Sequence, residues 1–257
     1  MASAAPAAPS DHRSADGFFL TLAIAMAITV ILGFSAQFLM GRSTFAARPL
    51  VHVHGVAFMV WVAIFVAQAW FATRGPIAQH WRLGRFAAGW VVVLVVMGCW
   101  ITVDVVQRGT APFFFQPQFF LVGNPLSVFV FAGLTAAAIA LRQREGWHMR
   151  LQICALAAIM GPAFGRLLPM PLLIPYAFEC SVIAGLIFPL VGMARDWRKV
   201  GRVHRAWVWG VVPVLVFMPV ASLIAQSSAG DALYRAVTAG HPGAAVPGLA
   251  YPASPLG

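Results

Sequence analysis

Apolar residues run through this chain in blocks of membrane-spanning length, divided by short clusters of Arg, His, Gly and Pro. A bilayer core about 30 Å thick takes roughly 20 apolar residues at 1.5 Å per helical residue. Seven blocks qualify, at about 18–40, 51–72, 86–106, 119–141, 151–168, 172–193 and 206–226. Only Leu168-Pro169-Met170-Pro171 parts the fifth from the sixth, which reads as a tight re-entry between two helices. Backbone groups in lipid have to be satisfied within their own segment, so the pattern predicts an all-α fold. The expected architecture is a polytopic membrane bundle of seven transmembrane helices across 17–226. Residues 1–16, rich in Ala, Pro and Ser, read as a flexible N-terminal tail without the basic start of a signal peptide. Residues 227–257, rich in Gly, Ala and Pro and lacking a helical period, read as a second flexible tail.

Composition agrees with this solvent. Hydrophobic residues make up 61% of the 257 and charged residues 9%, against roughly 45–50% and 25% in soluble domains. A cytosolic enzyme, a disordered chain and a disulfide scaffold are excluded. Cys99, Cys154 and Cys180 lie within spans and form no C-x-x-C pair, so they read as packing residues.

The basic residues set a direction. Arg13, Arg74, Arg82, Arg85, Arg142, Arg144, Arg150, Arg195, Arg198, Lys199, Arg202 and Arg205 fall on one side of the seven spans. Arg42, Arg48, Arg108, Arg166 and Arg235 fall on the other. Twelve against five places the N-terminus in the cytoplasm and the C-terminus in the periplasm of a bacterial inner membrane. The net charge of +10 is then an orientation signal with an affinity for anionic lipid, and nucleic acid has no support as a partner.

Each cytoplasmic corner carries the same residues. His80, His148 and His204 stand just before the third, fifth and seventh spans, with Arg82, Arg150 and Arg205 one or two positions later. A helix N-terminus offers free N–H groups and partial positive charge, so such corners suit lipid headgroups or a partner protein. A sharper alternative has the three histidines converging on a metal or an anion.

Polar residues inside the spans mark function by default. His54, Trp61 and Gln68 recur every seven residues and share one face of the second span; Asp104 lies at the depth of His54 on the third. Asp104 could orient the His54 ring, and Arg166 is the nearest cation for Glu179. These six residues are the candidate cofactor-binding group, with the pocket expected around His54, Asp104, Arg166 and Glu179 in the half of the bundle away from the corners. Three readings stay open for them: a helix-packing network, a pocket for quinone or another cofactor, or a metal centre. Bis-histidine haem needs two histidines at one depth on separate helices, and at this depth only His52 and His54 of the second span occur. No His-x-x-x-His pattern supports zinc-hydrolase or di-iron chemistry. The single lysine, Lys199, lies in a loop, so a retinal protein is excluded.

The run His52-Val53-His54-Gly55, through Trp61 and Gln68 to His80-Trp81-Arg82-Leu83-Gly84, resembles a group of uncharacterised bacterial seven-helix membrane proteins. That group has a His-Gly start to its second helix and a His-x-Arg-Leu-Gly corner. His148-Met149-Arg150-Leu151, Gly161-Pro162, Gly165-Arg166, Asp196 and Gly201-Arg202-Val203-His204 extend the likeness over about 18–210. Trp81 and Arg205 depart from the pattern, which has a basic residue and a proline there. The resemblance implies which residues matter and brings no activity, catalytic residue or cofactor.

Lacking a catalytic motif, the chain is expected to be a non-enzymatic accessory or assembly subunit of an inner-membrane complex, anchored to anionic lipid by its corners. The alternatives are a small redox or cofactor-binding protein (quinone, haem or metal) built around His54, Asp104, Arg166 and Glu179, and a transporter or lipid-handling protein.

Overall fold

A computed structural model describes residues 12–41 and 45–253. Among these it contains ten α-helices, two 3-10 turns and no strand. Six stretches are long and apolar enough to cross a membrane. They are α1 (His12–Leu39) from Gly17 onward, α2 (Pro49–Thr73), α3 (Ile77–Gln107), α4 (Pro117–Ala140), residues 177–200, and α9 (Arg205–Ala225). The all-helical architecture expected of a membrane bundle is what these helices make.

The hydrophobic pattern predicts seven spans, and the difference lies in the fifth. Residues 151–168 form two helices, α5 (Trp147–Ala158) and α6 (Gly161–Leu167), separated at Ile159-Met160. Pro162 has no N–H to give the Ala158 carbonyl, and its ring crowds that oxygen, so α5 ends there. The same device acts again downstream. Pro189 stands four residues after Gly185, where α7 (Ala177–Gly185) gives way to α8 (Ile187–Val200). Pro125, Pro213 and Pro219, by contrast, sit inside unbroken helices.

Short as it is, α5 occupies the middle of the bundle. Leu151 and every residue from Ile153 to Ala158 are buried. Glycines on its neighbours let them close on it: a Cβ at Gly185 would lie 2.8 Å from the Ala157 carbonyl oxygen, and one at Gly210 would lie 2.5 Å from Cys154 Sγ. Close approach through small residues is how helices associate where no aqueous hydrophobic effect drives them together. Cys154 is buried in this seam, the packing role expected of it.

A buried ion pair fixes the corner end of α5. Arg150 reaches Asp196 of α8 through two bonds, Nε to Oδ2 at 3.0 Å and Nη2 to Oδ1 at 2.9 Å. Trp207 of α9 donates its Nε1–H to the same carboxylate at 2.9 Å. The guanidinium also lies over the rings of Phe19 and Trp207 and donates to the Gly146 carbonyl at 3.0 Å. Gly192 makes room for the indole, since a Cβ there would stand 2.1 Å from it. Four helices thus meet at one carboxylate and one guanidinium.

The segment after Ser227 corrects the expectation of a tail without helix. Ser228–Thr238 form α10, whose first turn is capped by the Ser227 hydroxyl accepting from Gly230 N–H at 3.2 Å. α10 and the residues after it close the end of the bundle opposite the corners. Tyr234 packs with Val106 of α3 and Leu121 of α4. Its hydroxyl donates to the Val246 carbonyl at 2.9 Å. Gln116 and Gln107 donate to the Leu249 and Val237 carbonyls, and Gln118 N–H of α4 bonds to the Gly248 carbonyl. Gly243 approaches so closely that a Cβ would lie 2.0 Å from the Val106 carbonyl oxygen. The N-terminal tail expected over 1–16 lies largely outside the described residues.

Removing one partner of a buried ion pair leaves the other charge uncompensated, at about 3–5 kcal/mol. Asp196→Asn should lower the thermal unfolding temperature of the detergent-solubilised protein strongly, and Gly192→Ala should do so by displacing Trp207. A melting temperature unchanged in both variants would refute the latch.

Candidate functional site

At the corner end, α1, α2, α3, α4 and α5 line an open-mouthed cavity of about 130 Å³. Its walls are mainly apolar: Phe19 and Ala23 from α1, Ile64, Phe65, Ala69 and Ala72 from α2, Gly84, Ala87 and Ala88 from α3, Ile139 from α4 and Ile153 from α5. Into this lining are set Trp61, Gln68, His80, Thr135, His148 and Gln152.

Two of those polar groups have nothing to bond. Trp61 is buried against Phe131, ring centroids 5.1 Å apart and edge to face, and its Nε1–H has no partner among the described residues. Thr135 is 2% exposed and its hydroxyl is likewise unpartnered. A buried donor left unpaired costs roughly 1–3 kcal/mol, so native structures rarely keep one without a ligand or water to meet it.

The histidines are better placed than a surface corner requires. His80 lies in the first turn of α3 and His148 at the second residue of α5, and their ring centroids are 6.2 Å apart. His148 Nδ1 donates to the Ala138 carbonyl at 2.9 Å, which leaves a lone pair on Nε2. His80 Nδ1 is 3.2 Å from the Gln68 carbonyl. The Gln68 side chain braces the same ring: its oxygen accepts from Gly84 N–H at 2.6 Å and its nitrogen reaches His80 Nδ1 at 2.7 Å. His148 Nδ1 donates, so its Nε2 keeps a lone pair, whereas His80 Nδ1 accepts from the Gln68 amide, so its Nε2 carries the proton.

His204 does not join them. Its Nδ1 accepts from Ala206 N–H at 3.1 Å, so it caps α9, and its ring packs edge to face on Trp147. A cap of this kind needs a neutral ring. Burial first, and then the Arg150 guanidinium, hold His204 below the ordinary imidazole range. Of the three corner histidines, then, two converge and one serves its helix. Arg150 belongs to the buried ion pair and is not free for headgroups, which corrects its expected role. Arg82 and Arg205 are exposed.

The six residues expected to form one cofactor group are distributed over several places. Trp61 and Gln68 line the corner cavity. Asp104 holds Arg48 through a bidentate pair and Arg108 at 3.0 Å, joining the start of α2 to the end of α3; its carboxylate is engaged there, not in orienting His54. His54 stacks on Phe58, with Nδ1 buried and unpartnered, within electrostatic reach of Arg166. Arg166 lies over the Phe34 ring and donates to the Pro162 carbonyl at 2.8 Å. Glu179 makes no ion pair among the described residues and instead lines a second, open hollow of about 220 Å³ at the opposite end, with Phe115, Phe119, Tyr176 and Tyr251. No group of three His, Cys, Asp or Glu side chains able to hold a metal ion occurs among the described residues.

Sequence reasoning named His80 and His148 but gave them to the membrane surface, and it passed over Thr135. Gln68 carried a usable signal. It lies two turns beyond Trp61 on the same face, toward the corners and away from His54. A lone Thr on an apolar helix carries no such signal.

The lowered His204 pKa fixes a pH dependence. The stability given by the neutral cap is complete above the ordinary imidazole value of about 6.5 and is lost as pH falls through the lower native value. The melting temperature should therefore drop between pH 7 and 5, and His204→Asn, a good cap that does not titrate, should flatten the drop. An unaltered slope in the variant would assign the loss to other groups.

No protein-family model, no curated protein and no solved structure matches this chain.

Proposed function

We propose that this chain is a cofactor-binding membrane protein of redox type, multi-pass in the bacterial inner membrane, with its ligand in the half of the bundle that faces the cytoplasm. The broken pair α5 and α6 supplies the seventh crossing in this reading. The corners then face inward, as the excess of basic residues there favours, and the exposed Arg82, Arg85, Arg202 and Arg205 suit anionic headgroups.

One observation carries the proposal. Two buried, unpartnered donors, Trp61 Nε1 and Thr135 Oγ1, and the rings of His80 and His148 line a single, mainly apolar cavity. Such a lining, apolar walls with a few convergent polar groups, is what a small, largely hydrophobic ligand requires. Assembly into a complex gives no reason for it, which is why the cofactor reading is preferred here to that of an accessory subunit. Relative to the expectation from sequence, the proposed pocket moves from the His54 half of the bundle to the corner half and keeps Trp61 and Gln68.

Protein purified in mild detergent and extracted with organic solvent should release one apolar molecule at about one per chain. Thr135→Val removes an unpartnered hydroxyl, so it should leave the ligand-free protein as stable as before or stabilise it by about 1 kcal/mol. The same change should weaken ligand retention. An empty extract, from protein whose melting temperature no added quinone or haem raises, would sink the proposal.

A further inference from the structure

We infer that the hollow around Glu179, at the end of the bundle opposite the corners, binds a small organic amine in its ammonium form. This site is separate from the corner cavity and does not depend on a cofactor there. Its volume is about 220 Å³, below the roughly 300–1,000 Å³ of sites for drug-sized molecules, so the occupant is small. Distant parts of the chain build it. Phe115 and Gln116 come from the connection between α3 and α4, Glu179 from the first turn of α7, Gln226 from just beyond α9 and Tyr251 from the C-terminal segment.

Charge is the first argument. Glu179 is the one charged side chain among the described residues of the lining. None of the salt bridges among the described residues reaches it. Its nearest electrostatic neighbours include the Tyr251 hydroxyl, which carries no positive charge. A carboxylate at the end of an apolar span is costly unless a cation meets it, and here the protein supplies none.

Hydrogen bonding gives the second. Gln116 donates from its amide nitrogen to the Leu249 carbonyl at 2.7 Å, and Gln226 donates to the Ser222 hydroxyl at 2.6 Å. Tyr251 donates its hydroxyl proton to the Pro175 carbonyl at 3.1 Å. Each of these donors is engaged within the protein, while every one of the side chains keeps an oxygen that can accept. With the carboxylate, the lining is richer in acceptors than in donors. An ammonium group is the complement, with N–H donors and no acceptor.

The rings are the third. Phe115 stands 5.5 Å from Phe178 at 71°, and Phe119 stands 5.0 Å from the same ring at 90°. Rings crossed so steeply present faces in more than one direction, and a ring face attracts a cation within about 6 Å of its centre. An aromatic cage of this kind is suited to ammonium ligands. A neutral ligand would gain nothing from the carboxylate. A bare metal ion is served no better: calcium takes about 6–8 oxygens, and no group of three His, Cys, Asp or Glu side chains able to hold a metal occurs among the described residues.

Radiolabelled n-butylammonium should bind the full chain, purified in a maltoside detergent, at one per chain in equilibrium dialysis at neutral pH. Glu179→Gln keeps the side chain's size and removes its charge, and should weaken binding by about tenfold or more. Tyr251→Leu removes one ring and should weaken it by about threefold. Circular dichroism and melting temperature show whether each variant is folded. Competition on the wild-type protein needs no variant: n-butanol and sodium chloride should fail to displace the amine at concentrations where unlabelled n-butylammonium succeeds. No binding by the wild-type chain, binding unchanged in folded Glu179→Gln, or equal displacement by butanol or sodium overturns the inference. Glu179→Gln should leave the organic extract of the corner cavity unchanged, so the two sites fail separately. Nanodiscs identify the source of the amine. Loss of butylammonium binding in phosphatidylethanolamine but not in phosphatidylglycerol assigns the site to a lipid headgroup, and equal binding in both assigns it to a soluble amine; either result upholds the ammonium site.

Discussion

The bond between Arg150 and Asp196 is the constraint on which the corner end depends. Two charges taken out of water are tolerable only when each is fully met, and here the carboxylate is bound by a guanidinium and an indole N–H while the guanidinium lies over two aromatic rings. The pair holds α5, α8 and α9 at fixed depth relative to one another. His148 sits two residues before Arg150 on α5, so the helix that the ion pair anchors also carries one of the cavity's histidines. A histidine on a helix free to slide could not keep its Nδ1 on the Ala138 carbonyl of α4.

The cavity is small residues on one side and hydrogen-bonding rings on the other. Its apolar walls keep water sparse, which makes every unpaired donor more costly and every ligand contact worth more. Gln68 links the two kinds of lining. Its backbone is part of α2 while its side chain bridges the His80 ring and the Gly84 amide of α3, so one residue joins the floor of the cavity to its mouth. Arg48 and Asp104 do the equivalent work for the same two helices at their other ends.

Most of the fold could be read from hydrophobic block length, because lipid leaves the backbone no alternative to the helix. The departures come from residues whose effect is not hydrophobic. Pro162 divides α5 from α6, and nothing in the run of apolar residues around it separates its effect from that of Pro213, which α9 tolerates. α10 leaves little signal in the sequence, since Ser228–Thr238 is short, and it is held by Tyr234 and by Gln107 of α3, 130 positions earlier. The candidate site was half legible. Trp61 and Gln68 announced a polar stripe by their seven-residue spacing; which end of the stripe mattered depended on α5, and no spacing along α2 encodes the position of another helix. Asp104 shares a depth with His54, but Arg48, just outside the span, reaches it with a fork that a histidine cannot match.

The seal formed by α10 has a consequence for how the molecule is made. Its contacts are with α3, α4 and α9, and it follows all three in the chain. The carbonyls of Val106, Gln107 and Ala225 that it and its flanking turns cover must therefore spend some time open, after the spans have been inserted and before the last segment folds back. The end of the bundle opposite the corners is thus closed by a short amphipathic helix that follows in sequence every helix it covers.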